Sequence, residues 1–221
     1  DWEQPGEECL ETLLEYARNG GVLIVSGAHN AQKLAARLGF KAAGAPARAQ
    51  AWLRHGAVAN AAGVWLDVEP GETRTLDLRY PELNTTRNGR PAALGLDFGK
   101  GRITVVPGPV GDVYAATHAA AMRDFARALI APHFRPLVHV DAPPAVEAVL
   151  RRKGADLLVH LINTTAMQVA GDYATVDFIP AVGPVRLTVE GARPKSARLE
   201  PEGTPLQWRA VSGGWQTEIP R

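Results

Sequence analysis

The chain has 221 residues, 46% of them hydrophobic and 21% charged, with a formal net charge of +1 from 24 Lys and Arg against 23 Asp and Glu. That length is enough to bury one large core or two small ones, and the composition excludes a disordered polyelectrolyte. No block of like charge marks a nucleic-acid or membrane surface. The single cysteine, Cys9, excludes an internal disulfide and a Cys-based zinc site. The longest apolar runs, such as Leu157 to Ile162, are far too short to span a bilayer as a helix. Asp1-Trp2-Glu3 has no basic leader region and no initiator Met precedes it, so the chain reads as a segment of something longer. With one Cys and no leader in view, a cytoplasmic setting is favoured. The sequons Asn84-Thr85-Thr86 and Asn163-Thr164-Thr165 are short, common patterns and are read as chance.

In chain order, the first element is a helix. Glu7 and Glu8 fall in its first turn, where carboxylates complement the dipole, and Leu10, Leu13, Leu14 and Ala17 form one apolar stripe. Gly20-Gly21 ends it. Val22 to Ser26 reads as a short strand buried on both faces, as in a parallel sheet. Gly27 permits a tight exit into a second amphipathic helix with Ala31, Leu34, Ala35 and Leu38 inward, ending at Gly39. Gln50 to Leu53, Gly63 to Val68 and Thr73 to Tyr80 are candidate strands. Leu94, Leu96 and Phe98 alternate, and Gly99-Lys100-Gly101 returns the chain into Ile103 to Val106, which makes a hairpin. A long helix carries Met122, Phe125, Ala126, Leu129 and Ile130 on one face and stops at Pro132.

Beyond Pro136 the period changes to two. Val146, Ala148 and Leu150 lead through Lys153-Gly154-Ala155-Asp156 to a partner strand, Leu157 to Ile162. Further strands are predicted at Ala174 to Phe178, Val185 to Val189, Ala197 to Leu199, Leu206 to Ala210 and Trp215 to Ile219. The expectation is an α/β domain over 1–135 and an antiparallel β-sandwich over 136–221. Only one parallel-type strand precedes residue 40, which points to an α/β layer truncated at its N-terminus.

No complete constellation of catalytic residues emerges. Gly27-Ala28-His29-Asn30 sits where phosphate can rest on helix amides, but it lacks the glycine and lysine spacing of a nucleotide loop and reads as a tight turn. Ser26-Gly27 does not match a nucleophile elbow. Cys9 lies near the apolar side of its helix, where cysteine is usually packing. The six histidines show no metal-site spacing. His160, inside an apolar run, is read as a hydrogen-bonded core residue. His118, opening the long helix with Asp112 and Tyr114 in the loop before it, is the best candidate remnant of a hydrolytic site. Glu69, Glu72, Asp97, Asp112 and Glu147 qualify for glycoside cleavage by residue type alone. Trp208 and Trp215 are candidate substrate-binding residues, since aromatics on a sandwich stack on sugar rings. Alternation places Leu206, Trp208 and Ala210 on one apolar face and makes core the commoner role. No cofactor or metal ligand set is identified.

Three segments resemble the C-terminal region of bacterial glycoside hydrolases. Residues 13–27, Leu-Leu-Glu-Tyr-Ala-Arg-Asn-Gly-Gly-Val-Leu-Ile-Val-Ser-Gly, resemble the "LLEYVRxGGxLIVSG" run of the beta-galactosidase trimerisation domain. Residues 99–108 resemble its later "GKGRVxYxxG" hairpin. Residues 146–163 resemble the "VEVxLRxxxxxxLVHLxN" start of the β-sandwich that follows it. The resemblance implies a class I glutamine-amidotransferase-like, flavodoxin-like layer, without the cysteine elbow that amidotransferase chemistry requires. It also implies that the catalytic carboxylates lie in an upstream barrel domain of the same chain, here the expected partner. It thus supplies an accessory or assembly role, with a homo-oligomer in view, and no site residue.

Overall fold

The computed structural model describes residues 5–164, 168–170, 173–175 and 178–220, which fall into two compact units, Asp1–Phe134 and Arg135–Arg221. The described residues mix four helices with many strands.

The first unit opens with α1 (Glu7–Arg18), β1 (Val22–Ser26) and α2 (Ala28–Leu38). Helix α1 carries Glu7 and Glu8 in its first turn and buries Leu10, Leu14 and Ala17, the periodic stripe its sequence contains. Helix α2 ends on Gly39 in the left-handed region, φ 73°. Arg37 of α2 pairs with Glu7 and, at 3.1 Å, with Glu11, joining the two helices on their outer side. Then come β2 (Lys41–Ala42), β3 (Ala47–Ala49), β4 (Trp52–His55), β5 (Ala57–Asn60), β6 (Gly63–Trp65), β7 (Val68–Glu69), β8 (Arg74–Tyr80), β9 (Arg90–Phe98) and β10 (Gly101–Val106), and finally α3 (Val110–Thr117) and α4 (Ala120–Ile130). The main sheet has the order β1-β10-β9-β8-β4-β5. Only the β1–β10 pair is parallel; the other pairs are antiparallel. Two small ribbons, β2–β7 and β3–β6, accompany it. The expected single strand over Gly63 to Val68 is therefore two short pieces with different partners.

Successive residues of β10 serve different clusters, as strand alternation requires. Ile103 and Val105 pack with Leu10, Leu14, Leu34 and Leu38 of α1 and α2. Val106 packs with Met122 and Phe125 of α4 and with Leu53 of β4. The reading of Val22 to Ser26 as buried on both faces is corrected. Strand β1 is the edge of the sheet, and Val22 and Ile24 remain 37% and 36% exposed. Its apolar run looks like a central strand, but it has one strand neighbour, β10, and no other strand among the described residues pairs with it. A second correction concerns Asp112 and Tyr114. They lie inside α3, and His118 does not open the long helix but caps α3 in the left-handed region, φ 49°.

The β9–β10 hairpin explains its own glycines. Phe98 pairs with Gly101 across the two-residue turn Gly99-Lys100. A Cβ on Gly99 would meet the Arg18 carbonyl at 2.5 Å, and one on Gly101 would meet the carbonyls of Gly21 and Ala17 at 2.1 and 2.2 Å. Those neighbours are backbone and cannot rotate away. The turn thus fits against the end of α1 because it has no side chain there. Lys100 N–H donates to Arg18 O at 2.9 Å, satisfying a carbonyl that the helix end leaves open, and Arg102 N–H donates to Gly21 O at 3.1 Å, where β1 begins.

The second unit contains β11 (Val138–Asp141), β12 (Val146–Lys153), β13 (Asp156–Asn163), β14 (Gln168–Ala170), β15 (Tyr173–Thr175), β16 (Val185–Glu190), β17 (Arg198–Leu199), β18 (Thr204–Pro205), β19 (Arg209–Val211) and β20 (Gly214–Ile219). An antiparallel sheet runs β11-β16-β20-β19, beside the hairpin β12–β13 and the two-stranded pairs β14–β15 and β17–β18. Residues 176 and 177 of the strand expected at Ala174 to Phe178, and Thr165 of the second sequon, lie outside the described residues. The core is small. Val138, Val185 and Leu187 are buried, with Leu157, Val159 and Leu161 packed against them. That inward set on β13 puts Leu158, His160 and Ile162 on the opposite, exposed side. The core-histidine reading of His160 is therefore overturned: period-two alternation, more than local hydrophobicity, decides which side of the strand faces in.

Replacing Gly101 with Ala should destabilise the first unit by about 1–3 kcal/mol, the usual cost of forcing atoms into filled space. Gly6→Ser, at the uncapped N-terminus of α1, should instead add a few tenths of a kcal/mol. Thermal melting of the two variants beside the parent protein checks both signs.

Candidate functional site

The most chemically distinctive cluster in the first unit begins with a cross-strand conflict. Arg79 of β8 lies directly opposite Arg90 of β9, and like charges so placed repel. Asp67, in the two-residue link between β6 and β7, resolves it by dividing its carboxylate. Oδ1 accepts from Arg79 Nη2, and Oδ2 accepts from Arg90 Nη1. The backbone of the link is fixed as well. Leu66 N–H donates to Pro107 O at 2.9 Å, and Asp67 O accepts from Ala43 N–H at 2.8 Å. Arg79 is only 4% exposed. Its guanidinium stacks 4.6 Å from the centre of the Trp65 ring, a buried indole whose Nε1 donates to Ala61 O at 2.7 Å. Burial lowers the Arg79 pKa from the usual arginine range to about 10, which leaves it cationic at neutral pH. Its Nε is buried without a partner among the described residues.

Beside these two arginines lies a cavity of about 230 Å³ lined by Ala49, Gln50, Arg79, Pro81 and Arg90. Gln50 accepts a bond from Asn60 at 3.3 Å through Oε1, which leaves its amide N–H₂ unengaged among the described residues. The lining therefore offers cationic and neutral donors against an apolar wall of Ala49 and Pro81. Chemically, such a site binds an acceptor. It contains no nucleophile and no base to activate one.

The residues singled out from sequence are not brought together. Asp112 and His118 are both exposed, and no hydrogen bond or ion pair joins them; His118 makes an edge contact with the Tyr114 ring, centroids 5.8 Å apart. Among the described residues no group of three or more His, Cys, Asp or Glu is placed to hold a metal ion. Gly27 N–H, the first amide a phosphate would use at α2, is already donated to Val106 O and Gly108 O. Trp208 is half-buried, in the stretch between β18 and β19, and its Nε1 is enclosed without a partner among the described residues. The strand expected over Leu206 to Ala210 starts only at Arg209. Trp215 is a half-buried member of β20, with Arg193 over its ring at 5.1 Å. The pair nearest in kind to a catalytic dyad was not visible in the sequence. His55 Nδ1 lies 3.4 Å from Asp77 Oδ2, and no Ser, Thr or Cys among the described residues bonds to the other nitrogen of His55. Asp67, Arg79 and Arg90 also follow no motif spacing, Arg79 and Arg90 lying 12 and 23 residues beyond Asp67.

Asp67→Asn removes the charge that two guanidiniums share, one of them buried. The expected loss is on the order of 3 kcal/mol, the cost of leaving a buried charge without its counter-ion. Chemical denaturation of the variant measures it.

No family model matches the chain, and no curated protein matches it. Solved structures do. Alpha-L-fucosidase isoenzyme 2 from Paenibacillus thiaminolyticus matches with a TM-score of 0.72 at 15% identity, over 98% of this chain and 37% of that one. A GH42 beta-galactosidase from G. stearothermophilus matches with a TM-score of 0.60 at 15% identity, over 98% of this chain and 30% of that one. A beta-galactosidase from Bacillus circulans sp. alkalophilus matches with a TM-score of 0.57 at 14% identity, over 94% of this chain and 30% of that one. The chain spans roughly a third of the length of these structures, and its fold is related to that of part of glycoside hydrolase chains.

Proposed function

We propose that this chain is a non-catalytic accessory and assembly region of a larger carbohydrate-active glycoside hydrolase. In this reading, residues 1–135 are an amidotransferase-like, trimerisation-type α/β domain and residues 136–221 an antiparallel β-sandwich. Together they support and oligomerise a catalytic barrel supplied by the same polypeptide. The observation that carries the reading is the near-complete match of this chain to a minor share of a fucosidase and of two beta-galactosidase chains. The side chains support it too. Hydrolysis of a glycoside takes two carboxylates across one cleft, and the cavity beside Arg79 and Arg90 is lined by donors.

The chain as it stands should therefore hydrolyse neither an aryl β-galactoside nor an aryl α-fucoside above the buffer rate. Turnover that disappears in His118→Ala or Asp112→Ala would establish a stand-alone hydrolase in its place. Sedimentation equilibrium should find a self-associating species, and a monomer at every concentration would remove the assembly role.

A second reading, from a different class, is a carbohydrate-binding module built on Trp208 and Trp215, and the partial exposure of both indoles favours it. The ring of Trp215 already has Arg193 on it, and the Nε1 of Trp208 is turned away from solvent. Trp208→Ala should accordingly cost stability, roughly 2 kcal/mol for an indole that is half covered. Oligosaccharides should leave tryptophan fluorescence unchanged. Saturable quenching combined with an unshifted melting temperature would favour the binding module.

A further inference from the structure

We propose that the cavity beside Arg79 and Arg90 is a binding site for a small carboxylate, of the size of a sugar acid. This goes beyond the accessory reading and does not depend on it.

Charge is the first ground. Two guanidiniums share one carboxylate, Asp67, so the cluster keeps one net positive charge, part of it on a side chain that is only 4% exposed. A charge so placed is screened less than one on the surface and favours an anion beside it. Unused donors are the second. Arg90, which is 57% exposed, engages only Nη1 within the described residues, whereas the unpartnered Nε of Arg79 is buried. Gln50 adds a free amide on the same lining. Guanidinium forks match the two oxygens of a carboxylate, and these two side chains already take the carboxylate of Asp67, one oxygen each.

Size and charge then select the occupant. A volume of about 230 Å³ lies below the roughly 300–1,000 Å³ of sites for drug-sized ligands, so the molecule is small. Ala49 and Pro81 give it an apolar wall. A single net positive charge balances a monoanion. A phosphate dianion would bring its second charge close to Asp67, which is paired to the same arginines and repels it. The site therefore prefers a carboxylate to inorganic phosphate.

The test titrates the protein with galacturonate at low salt, with galactose and inorganic phosphate as comparisons, followed by calorimetry. Galacturonate should bind saturably and weaken as NaCl is added. In Arg90→Gln its affinity should fall at least about tenfold, the loss of one charge-assisted hydrogen bond. Arg90 is 57% exposed and Asp67 keeps Arg79 as partner, so this variant should fold, as a melting curve will verify. Gln50→Ala gives a second, uncharged perturbation of the same lining and should weaken binding without changing its salt dependence. The proposal is overturned by the absence of saturable binding, by galactose binding as well as galacturonate, by phosphate binding more tightly, or by galacturonate affinity unchanged in both variants.

Discussion

The contact that organises the first unit is a seam of backbone against backbone, where the Gly99-Lys100-Gly101 turn meets the end of α1. The carbonyl of Arg18, at the end of α1, and that of Gly21, just before β1, take their hydrogens from Lys100 and Arg102. Since β1 leaves α1 directly after Gly20-Gly21 and β10 leaves the turn directly after Lys100, this contact starts the two strands side by side. It also starts them in the same direction, with Val22 opposite Arg102 and Ser26 opposite Val106. The one parallel pair in an otherwise antiparallel sheet is thus a consequence of the seam. A side chain at Gly99 or Gly101 would run into the backbone at the end of α1.

The far end of the same two strands carries the constraint onward. Gly27 N–H reaches the carbonyls of Val106 and Gly108, fixing where β1 hands over to α2. Gly108 lies so close to the Trp65 ring that a Cβ there would fall at 2.3 Å. Trp65 in turn is the surface on which Arg79 stacks. The buried guanidinium therefore rests on a ring positioned by the end of β10, and Asp67 follows Trp65 by two residues. Electrostatics and packing meet here in one place. The indole face attracts the cation, while the carboxylate neutralises part of the repulsion between cross-strand arginines. The remaining positive charge is a product of the fold, invisible in a chain whose total is +1.

What the sequence made legible and what it hid divide along physical lines. Helices α1, α2 and α4 and the β9–β10 hairpin follow from local period and glycine punctuation, and they appear where those signals lie. Strand neighbours are set by tertiary contacts, so an apolar run such as Val22 to Ser26 could not reveal that it forms an edge. His160 shows the opposite error. Its neighbours in sequence are apolar, yet its neighbours in space are decided by alternation. The arginine cluster was illegible for a third reason. Arg79 belongs to a residue type that is almost never buried unless paired. Its pairing partners come from another ribbon and another strand, so no spacing rule joins them.

The same cluster bears on what chemistry the chain can perform. Glycoside cleavage needs one carboxyl that gives a proton and another that attacks or activates water, both facing a common cleft. A general acid of that kind is made by removing a carboxyl from water. Glu69, Glu72, Asp97, Asp112 and Glu147 are all exposed, on four stretches of chain, and Asp97 is held by Arg102 at 2.8 Å. Beside the cavity the arrangement is inverted. The neighbouring carboxylate, Asp67, has both oxygens committed to arginines, and the polar side chains on the lining are those of Gln50, Arg79 and Arg90. A pocket lined with fixed cations and amides stabilises a charge that is already present on a ligand and has no means of moving a proton onto a leaving group. Its donors suit the recognition of an anion, the use proposed for it above.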